Sequence, residues 1–466
     1  MPEISLSGRR RIHVIGVAGP GMSALATVLA QMGHDVTGSD LRDLPVLERV
    51  RAAGVRVAIG HTANAVGGCD YVVASSIIPD TNIEWAAAVN EGIPSVRRAQ
   101  MLAAVCGQAS SVAVAGTHGK TTSSAMLTLA LTAAGENPSF LIGGDIPGLD
   151  SGDESAVTSA RWTGGEKFVV EADESDGTHA LLPVHACLVT NIDTDHLDHF
   201  GNFESIVKSF GEFVSRANIK VLNGDDPNLA VIAGTVGAVT FGFRGESDYR
   251  GSDLRFGDGR VRFRVSHAFY GSFDVELALM GAHNAANALG VFAMACELGV
   301  DPGTVVAALA RYRGAVRRCE LRETVKGARM FDDYAHLPAE ISAVLGGMRA
   351  DNSVTGRLIA VFQPNRFNRM AVMSPDYADA FTSADVVYIN NVYSSGTAFI
   401  EGVTGQLVVD AVISAHPEAQ IRYIESRDEL VDAVLTDLDN GDVCVSMGCG
   451  DIEHFPAQVA AKWRSK

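Results

Sequence analysis

Lys120, Thr121 and Thr122 follow a glycine-framed turn in the stretch VAVAGTHGKTT, between a short apolar run and a segment with helical spacing. Backbone amides freed by such a turn can point at a bound phosphate, with the N-terminus of the helix behind them. A lysine at this position can oppose the β- and γ-phosphates of a nucleotide, and a threonine hydroxyl can bind Mg²⁺. Val114 replaces the first glycine of the GxxxxGK[ST] pattern, so a plain helix start with an exposed lysine fits these letters about equally well.

Two acidic clusters follow further strand candidates. KFVVEAD (167–173) leads into EADESDGT, and ACLVTNID (186–193) leads into NIDTDHLDH. Each cluster alone is typical of a solvated turn, and a zinc site at His196 and His199 would lack soft ligands nearby. Mg²⁺ prefers oxygen ligands, and parallel sheets bind ligands at the carboxyl ends of their strands. The three strand-end motifs together therefore predict a nucleotide–magnesium site. Its acidic candidates are Glu171, Asp173, Glu174, Asp176, Asp193, Asp195 and Asp198.

A second glycine-rich turn lies near the start of the chain, where RRIHVIG is followed by GVAGPG and then by MSALATVLAQMG. Gly16, Gly19 and Gly21 form GxxGxG, not the dinucleotide pattern GxGxxG. We therefore expect a nucleotide diphosphate on the helix N-terminus, and not specifically NAD. Asp40 ends the strand candidate DVTGSD, where a carboxylate could reach a ribose or base. Polar residues that could add donors, or serve only as turn residues, are His61, Ser75 and Ser76.

The last third of the chain carries arginines beside strand ends. Arg317 and Arg318 occur in AVRRCE, shortly before DDYAH (332–336). FQPNRFNR follows the next strand and supplies Asn365, Arg366 and Arg369. An arginine pair is commonly a surface ion pair, here with Glu320. The functional alternative is that these arginines reach a phosphate or carboxylate across an interdomain cleft.

Strand and helix candidates alternate throughout, which predicts an α/β protein with doubly wound parallel sheets. Three blocks are visible, with boundaries that we place at 1–107, 108–316 and 317–466. Asp258-Gly259 before the alternating RVRFRV indicates a hairpin, hence a small antiparallel addition to the central sheet. The segment 151–166 is the most loop-like stretch.

Composition excludes several classes. The chain has 466 residues, 47% hydrophobic and 20% charged, with a formal net charge of −18. Such an acidic chain is unsuited to non-specific nucleic-acid binding. The seven cysteines are scattered without CxxC, which favours reduced thiols in a cytoplasm. Arg9–Arg11 before an apolar stretch imitate a signal peptide, but glycines and a proline interrupt that stretch, and we expect no membrane span.

The motifs GTHGKTT, EADESDGT, NIDTDHLDH, HNAAN, RRCE, DDYAH, FQPNR and MGCGDI resemble, in order and spacing, those of the Mur ligase family. The resemblance covers nearly the whole chain. It implies a Rossmann-like N-terminal domain for a UDP-sugar, a central P-loop ATPase-like domain and a Rossmann-like C-terminal domain for the amino acid. The UDP-sugar residues that it implies are Gly19, Gly21, Met22, Ser39, Asp40, His61, Ser75 and Ser76.

The resemblance also implies roles around ATP. The ATP site would comprise Gly116, Thr117, His118, Gly119, Lys120, Thr121 and Thr122, with Asn287 and Asp333 at the adenine and ribose and Arg318 at the γ-phosphate. Mg²⁺ would be held by Thr121, Glu174 and His196. The implied catalytic residues are Lys120, Glu174, His196 and Arg318, and the residues facing the amino acid or acyl phosphate are His336, Asn365, Arg366 and Arg369.

The implied activity is ATP- and Mg²⁺-dependent joining of L-alanine to UDP-N-acetylmuramate in the cytoplasm, by a monomer or homodimer. The chain departs from the family's FQPHR and DDYAHHP patterns at Asn365 and Leu337. Both departures lie on the amino-acid side, so attachment of another amino acid or of a recycled murein peptide stays open. A nicotinamide or flavin oxidoreductase would leave GTHGKTT and both acidic clusters without a role. A non-catalytic nucleotide sensor of the same fold would bind ATP without amino-acid-dependent release of phosphate.

Overall fold

The computed structural model describes residues 4–149, 157–174, 177–194 and 200–465, which form three β-sheets with helices between their strands. The α/β class predicted from the sequence is confirmed. The predicted domain boundaries at 107/108 and 316/317 fall between elements of secondary structure. The boundaries themselves stay a prediction.

The first sheet has five parallel strands in the order β3-β2-β1-β4-β5. Because strand order reverses between β1 and β4, a crevice forms at their carboxyl ends, as in dinucleotide-binding folds. The elements of this region are β1 (Arg11–Ile15), α1 (Pro20–Gln31), β2 (Asp35–Asp40), α2 (Val46–Ala52), β3 (Arg56–Ile59), β4 (Tyr71–Ala74), α3 (Ile83–Asn90), β5 (Ser95–Arg97) and α4 (Arg98–Cys106).

The second sheet has ten strands in the order β15-β14-β13-β12-β11-β10-β6-β9-β7-β8. Its strands are β6 (Ser110–Ala115), β7 (Ser139–Pro147), β8 (Val157–Arg161), β9 (Lys167–Glu171), β10 (Ala186–Val189), β11 (Ile219–Asn223), β12 (Val239–Gly242), β13 (Tyr249–Gly257), β14 (Arg260–His267) and β15 (Gly271–Leu277). Its helices are α5 (Lys120–Ala133), α6 (Phe203–Ser215), α7 (Pro227–Val236), α8 (Ala282–Glu297) and α9 (Pro302–Arg311). The central strand β6 is paired in parallel with β9 on one side and β10 on the other.

The predicted hairpin is present at the turn between β13 and β14. Asp258 has φ 56° and Gly259 has φ 71°. Two successive positive φ values are the signature of a type I′ turn, whose twist matches that of the flanking strands. The Asp-Gly signal was therefore sufficient to find the antiparallel addition.

The prediction of a loop over 151–166 is wrong for residues 157–161 and right for residues 162–166, which lie outside any helix or strand. Val157–Arg161 form β8, an edge strand paired antiparallel to β7. The sequence VTSAR has no apolar run because an edge strand is only partly covered. Edge strands of this kind lack the buried-strand signal on which the prediction rested. Residues 151–156 lie outside the described chain.

The third sheet has six strands in the order β16-β17-β21-β18-β19-β20, parallel except for β16. Its strands are β16 (Glu320–Val325), β17 (Ala328–Asp333), β18 (Leu358–Phe362), β19 (Val386–Ile389), β20 (Ile421–Tyr423) and β21 (Val443–Met447). Its helices are α10 (Pro338–Ala350), α11 (Phe367–Met373), α12 (Gln406–Ala415), α13 (Arg427–Asp437) and α14 (Phe455–Arg464). The carboxyl ends of β17, β21 and β18 are neighbours, which brings DDYAH, MGCGD and FQPNR to one edge of the sheet.

The chain forms two compact units. The first contains the chain up to Ser252 with Arg264–Val275 and Ala286–Tyr312, and a continuous hydrophobic core runs through it from Leu6 to Ala233. The second contains Asp253–Phe263, Glu276–Ala285 and the chain from Arg313 onward. Within the described ranges, no helix is both long and apolar enough to cross a membrane.

Candidate functional site

The glycine turn of the second sheet (residues 116–119, the second glycine turn) joins β6 to α5. Gly116 has φ 130° and Gly119 has φ 83°, values that residues with side chains rarely adopt. A Cβ on Gly116 would lie 2.1 Å from Thr190 Oγ1, and one on Gly119 would lie 2.4 Å from Asn287 Oδ1. Within the described chain no side chain caps α5. Its first amides are therefore available to an anion, and both glycines are required by shape.

Residues that follow β10 hold this turn in place. The Asn191 carbonyl accepts from Thr117 N–H at 3.1 Å, and Asn191 Oδ1 accepts from His118 N–H at 2.8 Å. Thr190 Oγ1 and Asn191 Nδ2 donate to the His118 carbonyl at 2.6 and 3.0 Å. Asp193 N–H donates to Thr117 Oγ1 at 2.9 Å. The turn is thus preorganised by the neighbouring strand.

Lys120 and Glu174 form a buried ion pair beside the turn. Lys120 Nζ lies 2.8 Å from Glu174 Oε2 and 3.0 Å from Oε1, and it also donates to the Gly116 carbonyl at 2.7 Å. Burial raises the pKa of Glu174 to about 7, although Lys120 opposes that rise. Burial acts to lower the pKa of Lys120, but the surrounding carboxylates, Glu174 first, outweigh it and hold that pKa above its ordinary value. Lys120 therefore stays protonated, and the buried Glu174 carboxylate would be stabilised by a further positive charge nearby.

Thr121 lies next to a second carboxylate. Thr121 Oγ1 donates to Glu171 Oε2 at 3.0 Å, and Gly143 N–H donates to the same oxygen at 2.8 Å. The pairing of β6 with β9 sets Glu171 level with Val114, at the base of the second glycine turn. The hydroxyl predicted to bind magnesium thus has a carboxylate partner that the sequence had placed only in a general acidic cluster.

The oxygen atoms of Thr121, Glu171 and Glu174 border the first turn of α5, and this donor set fits Mg²⁺ better than a metal that prefers sulfur. Across the described ranges, no group of three or more His, Cys, Asp or Glu side chains forms a metal-binding cluster. Phosphate oxygens and waters would have to complete the coordination, which is the usual habit of Mg²⁺. His196, together with Asp176, Asp195 and Asp198, lies outside the described residues.

The glycine turn of the first sheet (residues 16–19, the first glycine turn) is held by the end of β2. Gly16 N–H donates to the Ser39 carbonyl at 2.9 Å, and Ala18 N–H donates to Asp40 Oδ2 at 3.0 Å. Gly19 precedes α1, which within the described chain has no side-chain cap. The α1 amides are therefore available to an anion, and the assignment of a diphosphate to them stays a prediction.

The other residues predicted for the UDP-sugar lie around the same strand ends. Met22 packs its side chain into the core, and its N–H donates to the Gly19 carbonyl at 2.9 Å; its assignment to the UDP-sugar stays a prediction. Ser75 is half-buried and Ser76 is exposed just after β4. His61 follows β3 and bonds inward through Nδ1.

Arg97 and Arg98 are two residues of this site that the sequence reasoning missed. Arg97 donates to the Ser75 carbonyl at 3.0 Å and stacks 4.1 Å above the Trp85 ring, which fixes the loop after β4. A Cβ on Gly21 would lie 2.9 Å from Arg98 Nη1, so the guanidinium occupies the space left by that glycine. A cation beside the first turn of α1 reinforces a site for phosphate. The signal was the arginine pair where the strand SVR meets the next helix.

Arg317 and Arg318 lie in a turn of the third sheet that Asp333 holds. Asp333 is buried and accepts from the N–H groups of Cys319 and Ala335, both at 2.7 Å. Arg317 and Cys319 have φ 60° and 51°, strained values for residues with side chains. Arg317 Nε donates to the buried Asp332 at 2.9 Å. Arg317 therefore has a structural partner that explains it. Arg318 lies 5.3 Å above the Tyr334 ring, and its role toward the γ-phosphate stays a prediction.

The amino-acid-side candidates gather at the carboxyl ends of β17 and β18. Asn365 is 2% exposed, and its Oδ1 accepts from Arg369 Nη1 at 3.4 Å. Arg366 has φ 63°, and its N–H donates to the Tyr393 carbonyl at 2.8 Å. His336 Nδ1 lies 3.4 Å from Glu340 Oε2. The structure thus brings Asn365 and Arg369 into contact, while the roles of all four candidates stay predictions.

Comparison with known proteins gives the chain its family. Three family models match it in order, described as Mur ligase family, catalytic domain (residues 11–109), Mur ligase middle domain (114–295) and Mur ligase, glutamate ligase domain (317–450). A UDP-N-acetylmuramate–L-alanine ligase of Agrobacterium fabrum is 36% identical and covers 97% of each chain. The same enzyme of Rubrobacter xylanophilus is 38% identical and covers 97% of this chain and all of its own. The chain belongs to the Mur ligase family.

Solved structures agree with this assignment. A crystal structure of the UDP-N-acetylmuramate–alanine ligase of Thermotoga maritima superposes with a TM-score of 0.81 at 25% identity, covering 98% of this chain and 100% of that one. A murein peptide ligase of Psychrobacter arcticus shares the fold, with a TM-score of 0.70 at 24% identity. The Mur ligase fold predicted from the motifs is therefore confirmed.

Within this Mur ligase fold, one predicted ATP residue lies directly against the second glycine turn. Asn287 on α8 is buried against Gly119, where a Cβ would clash with it. Thr190 and Asn191, which clamp the turn, were not predicted as site residues. The available signal was the placement of TN directly after the buried strand ACLV.

Proposed function

We propose that this Mur ligase family member joins L-alanine to the lactyl carboxylate of UDP-N-acetylmuramate and converts ATP to ADP and phosphate. The observation that supports this most strongly is the meeting of three strand ends at one edge of the second sheet. There the second glycine turn, the buried Lys120–Glu174 pair and the Thr190–Asp193 segment lie side by side. Full-length relatives that carry this activity in their names add weight to the proposal.

The first step follows from the chemistry of a carboxylate, which is a poor acyl donor. A carboxylate oxygen of the sugar attacks the γ-phosphorus of ATP, the bond to the bridging oxygen breaks, and ADP leaves an acyl phosphate behind. Negative charge spreads over the phosphoryl oxygens in such transfers. Lys120 and the α5 amides are placed to stabilise that charge, with Arg318 as a further candidate.

Magnesium, when bound, would neutralise phosphate charge, and Thr121 and Glu174 are the described residues that we assign to it, with His196 as a third candidate. Lys120 Nζ donates hydrogen bonds to Glu174 and to the carbonyls of Gly116 and Thr117. It must exchange some of these bonds for phosphate oxygens when ATP binds. Glu174 would then need a new positive partner, which fits its role as a metal ligand.

The second step forms the amide. The neutral amine nitrogen of the amino acid attacks the acyl carbon, the carbon–oxygen bond breaks, and phosphate leaves with the proton that the amine gives up. We assign His336, Asn365, Arg366 and Arg369 to the amino-acid side of this step. Arg369 is held by the buried Asn365 and offers a guanidinium that suits an amino-acid carboxylate.

The first sheet supplies the UDP-sugar site in this proposal. The α1 amides and Arg98 would hold the diphosphate, and Asp40 and His61 would lie toward the nucleoside. We place the protein in the cytoplasm, where ATP and nucleotide sugars are available, and its seven free cysteines fit a reducing compartment. We expect no nucleic-acid partner. A monomer or homodimer is the expected assembly.

The test is phosphate release with ATP, Mg²⁺ and UDP-N-acetylmuramate, supplied in turn with L-alanine, glycine, L-serine and a murein tripeptide. We expect release to depend on both UDP-N-acetylmuramate and an amine, with the highest kcat/KM for L-alanine. A preference for the tripeptide would replace the proposal with peptide recycling. Release that does not depend on any amine would contradict ligation.

Substituting Lys120 tests the assignment of the second glycine turn. Lys120→Ala should lower the rate of ligation by about 1,000-fold or more, because the cation facing the transferred phosphoryl group is lost. Binding of UDP-N-acetylmuramate, measured by calorimetry, should change little because the first sheet supplies that site. Lys208→Ala is the matched control, since Lys208 is 79% exposed on α6. Loss of both ligation and UDP-sugar binding in Lys120→Ala would mean misfolding or a wrong site assignment.

A further inference from the structure

We propose that Glu84 is a positioning residue that fixes the ring of His61 so that its Nε2 accepts a hydrogen bond from the nucleoside end of the UDP-sugar. The proposal rests on the proposed function, since it assumes that the first sheet binds that ligand. It concerns a cluster of buried polar groups below the crevice of the first sheet. Glu84 lies in the first turn of α3, and the other members come from β1, β2 and the chain after β3.

Glu84 is fully buried, yet its carboxylate has four donors. Oε2 accepts from Ser39 Oγ at 2.5 Å, from His61 Nδ1 at 3.0 Å and from His13 Nε2 at 3.4 Å. Oε1 accepts from Thr62 N–H at 3.0 Å. Burying a carboxylate costs several kcal/mol unless donors of this kind replace water. Such a complete donor shell indicates a charged group that the fold keeps in one place.

The charge state of Glu84 decides the direction of every bond in the cluster. Burial acts to raise the pKa of Glu84, but the bonds from His13, Ser39 and the Thr62 amide outweigh it and hold that pKa below its ordinary value. An ionised carboxylate only accepts. His61 must therefore carry its proton on Nδ1, and His13 must carry one on Nε2. His13 Nδ1 can then accept from Thr37 Oγ1, which lies 2.8 Å away.

The second ring nitrogen of His61 has no partner within the described chain, and it remains accessible at the end of β3. With the proton fixed on Nδ1, a neutral ring offers Nε2 as an acceptor. The diphosphate of a UDP-sugar has no donor at neutral pH, whereas the ribose hydroxyls and the uracil N3–H do. The geometry thus assigns His61 to the nucleoside and leaves the diphosphate to the α1 amides and Arg98.

Glu84→Gln tests this assignment because a glutamine can donate where glutamate only accepts. The glutamine amide can donate to His61 Nδ1, which would move the ring proton to Nε2 and turn an acceptor into a donor. We expect the dissociation constants of UDP-N-acetylmuramate and of uridine monophosphate to rise by about tenfold. The kcat of ligation should stay unchanged when UDP-N-acetylmuramate is saturating. Glu91→Gln at the end of the same helix is the control, because Glu91 is exposed.

Nitrogen NMR of the histidine-labelled wild-type chain gives a readout that a purely structural role would not move. The His61 signals, assigned by their loss in His61→Ala, should show the proton on Nδ1 in the wild type and on Nε2 in Glu84→Gln. The loss of affinity caused by Glu84→Gln should largely vanish in a His61→Ala background, because Glu84 acts through that ring. A wild-type ring protonated on Nε2, or additive losses, would overturn the proposal even if Glu84→Gln folds poorly.

The outcomes of these measurements also distinguish a failure of this proposal from a failure of the proposed function. If the wild type binds no UDP-N-acetylmuramate, the proposed function fails first. If the wild type binds and ligates while Glu84→Gln binds equally well, only the role of Glu84 fails. If Glu84→Gln weakens UDP-N-acetylmuramate but not uridine monophosphate, the assignment of His61 to the nucleoside is wrong.

Discussion

The two glycine turns share the same strand–turn–helix connection and glycine spacing, but they differ in the residues around those glycines. Both join a parallel strand to a helix and place glycines three residues apart, at 16 and 19 in the first turn and at 116 and 119 in the second. The residues between and after the glycines are Val17, Ala18, Pro20 and Gly21 in the first turn, and Thr117, His118, Lys120 and Thr121 in the second.

The difference between the two turns shows how the same strand–turn–helix connection can be suited either to binding a phosphate or to transferring one. The first turn offers backbone amides, and the acidic and basic side chains beside it, Asp40 and Arg98, come from other elements. The second turn carries its own cation, Lys120, against a buried carboxylate. Holding a phosphate needs only aligned donors, whereas transferring one also needs charge that opposes the charge of the transition state. We therefore expect substitutions in the first turn to act on binding and those in the second to act on catalysis.

The largest expected contrast in stability is between Gly116→Ala and Gly19→Ala. A Cβ at 116 would collide with Thr190 Oγ1 and would sit at φ 130°. At Gly19, φ is −63° and a Cβ would have only ordinary contacts. We expect Gly116→Ala to lower the free energy of unfolding by about 3 kcal/mol or more, and Gly19→Ala by less than about 1 kcal/mol. Urea denaturation followed by circular dichroism measures both, and equal losses would remove this contrast between the turns.

A second contrast concerns the histidines near the two turns. His61 beside the first turn bonds a carboxylate, whereas His179 behind the second packs against the rings of Phe210 and Phe213 and bonds Ser209 Oγ at 2.9 Å. Burial, with Arg216 nearby, lowers the pKa of His179 to about 4. In the unfolded chain His179 therefore takes up a proton near pH 6.5, whereas in the folded chain it does so only near pH 4. The free energy of unfolding therefore falls as the pH falls from about 6.5 to about 4.

We expect His179 to account for a loss of about 2 kcal/mol in the free energy of unfolding between pH 7 and pH 5. His179→Phe should reduce the pH dependence by that amount, while His185→Gln, which changes an exposed histidine, should not. Unfolding curves at the two pH values provide the measurement. An unchanged slope in His179→Phe would show that this histidine titrates normally in the folded chain.

The smallest expected effect belongs to Asp40→Asn at the end of β2, whose carboxylate bonds the first turn. Asparagine can still accept from Ala18 N–H, but it lacks the charge that suits a ribose hydroxyl. We expect the KM for UDP-N-acetylmuramate to rise about fivefold to tenfold, as for one weakened hydrogen bond, with kcat unchanged. Steady-state kinetics beside Asp43→Asn, an exposed neighbour, gives the comparison. A fall in kcat with KM unchanged would place Asp40 in the chemistry and blur the distinction between the turns.

The sequence predicted the parts of the site that strand ends define. Short apolar runs located β6, β9 and β10, and the binding rule for parallel sheets placed Lys120 and Glu174 at one edge. Residues that contact a different helix or strand are not marked by any pattern in the sequence around them. Arg98 reaches α1 from another helix, and Glu84 bonds residues of three different segments. Asn191 clamps the second turn across a gap of 73 residues in the chain. Such contacts depend on packing, which a single sequence does not display.

That gap has a consequence for how the protein is made. A ribosome synthesises the GTHGKT segment well before the strand that braces it, and closing so long a loop carries an entropic cost that only later contacts offset. During translation the second glycine turn therefore lacks its bonds to Thr190 and Asn191 until β10 has docked beside β6. The nascent chain therefore cannot complete this turn before residues 190–193 have been made.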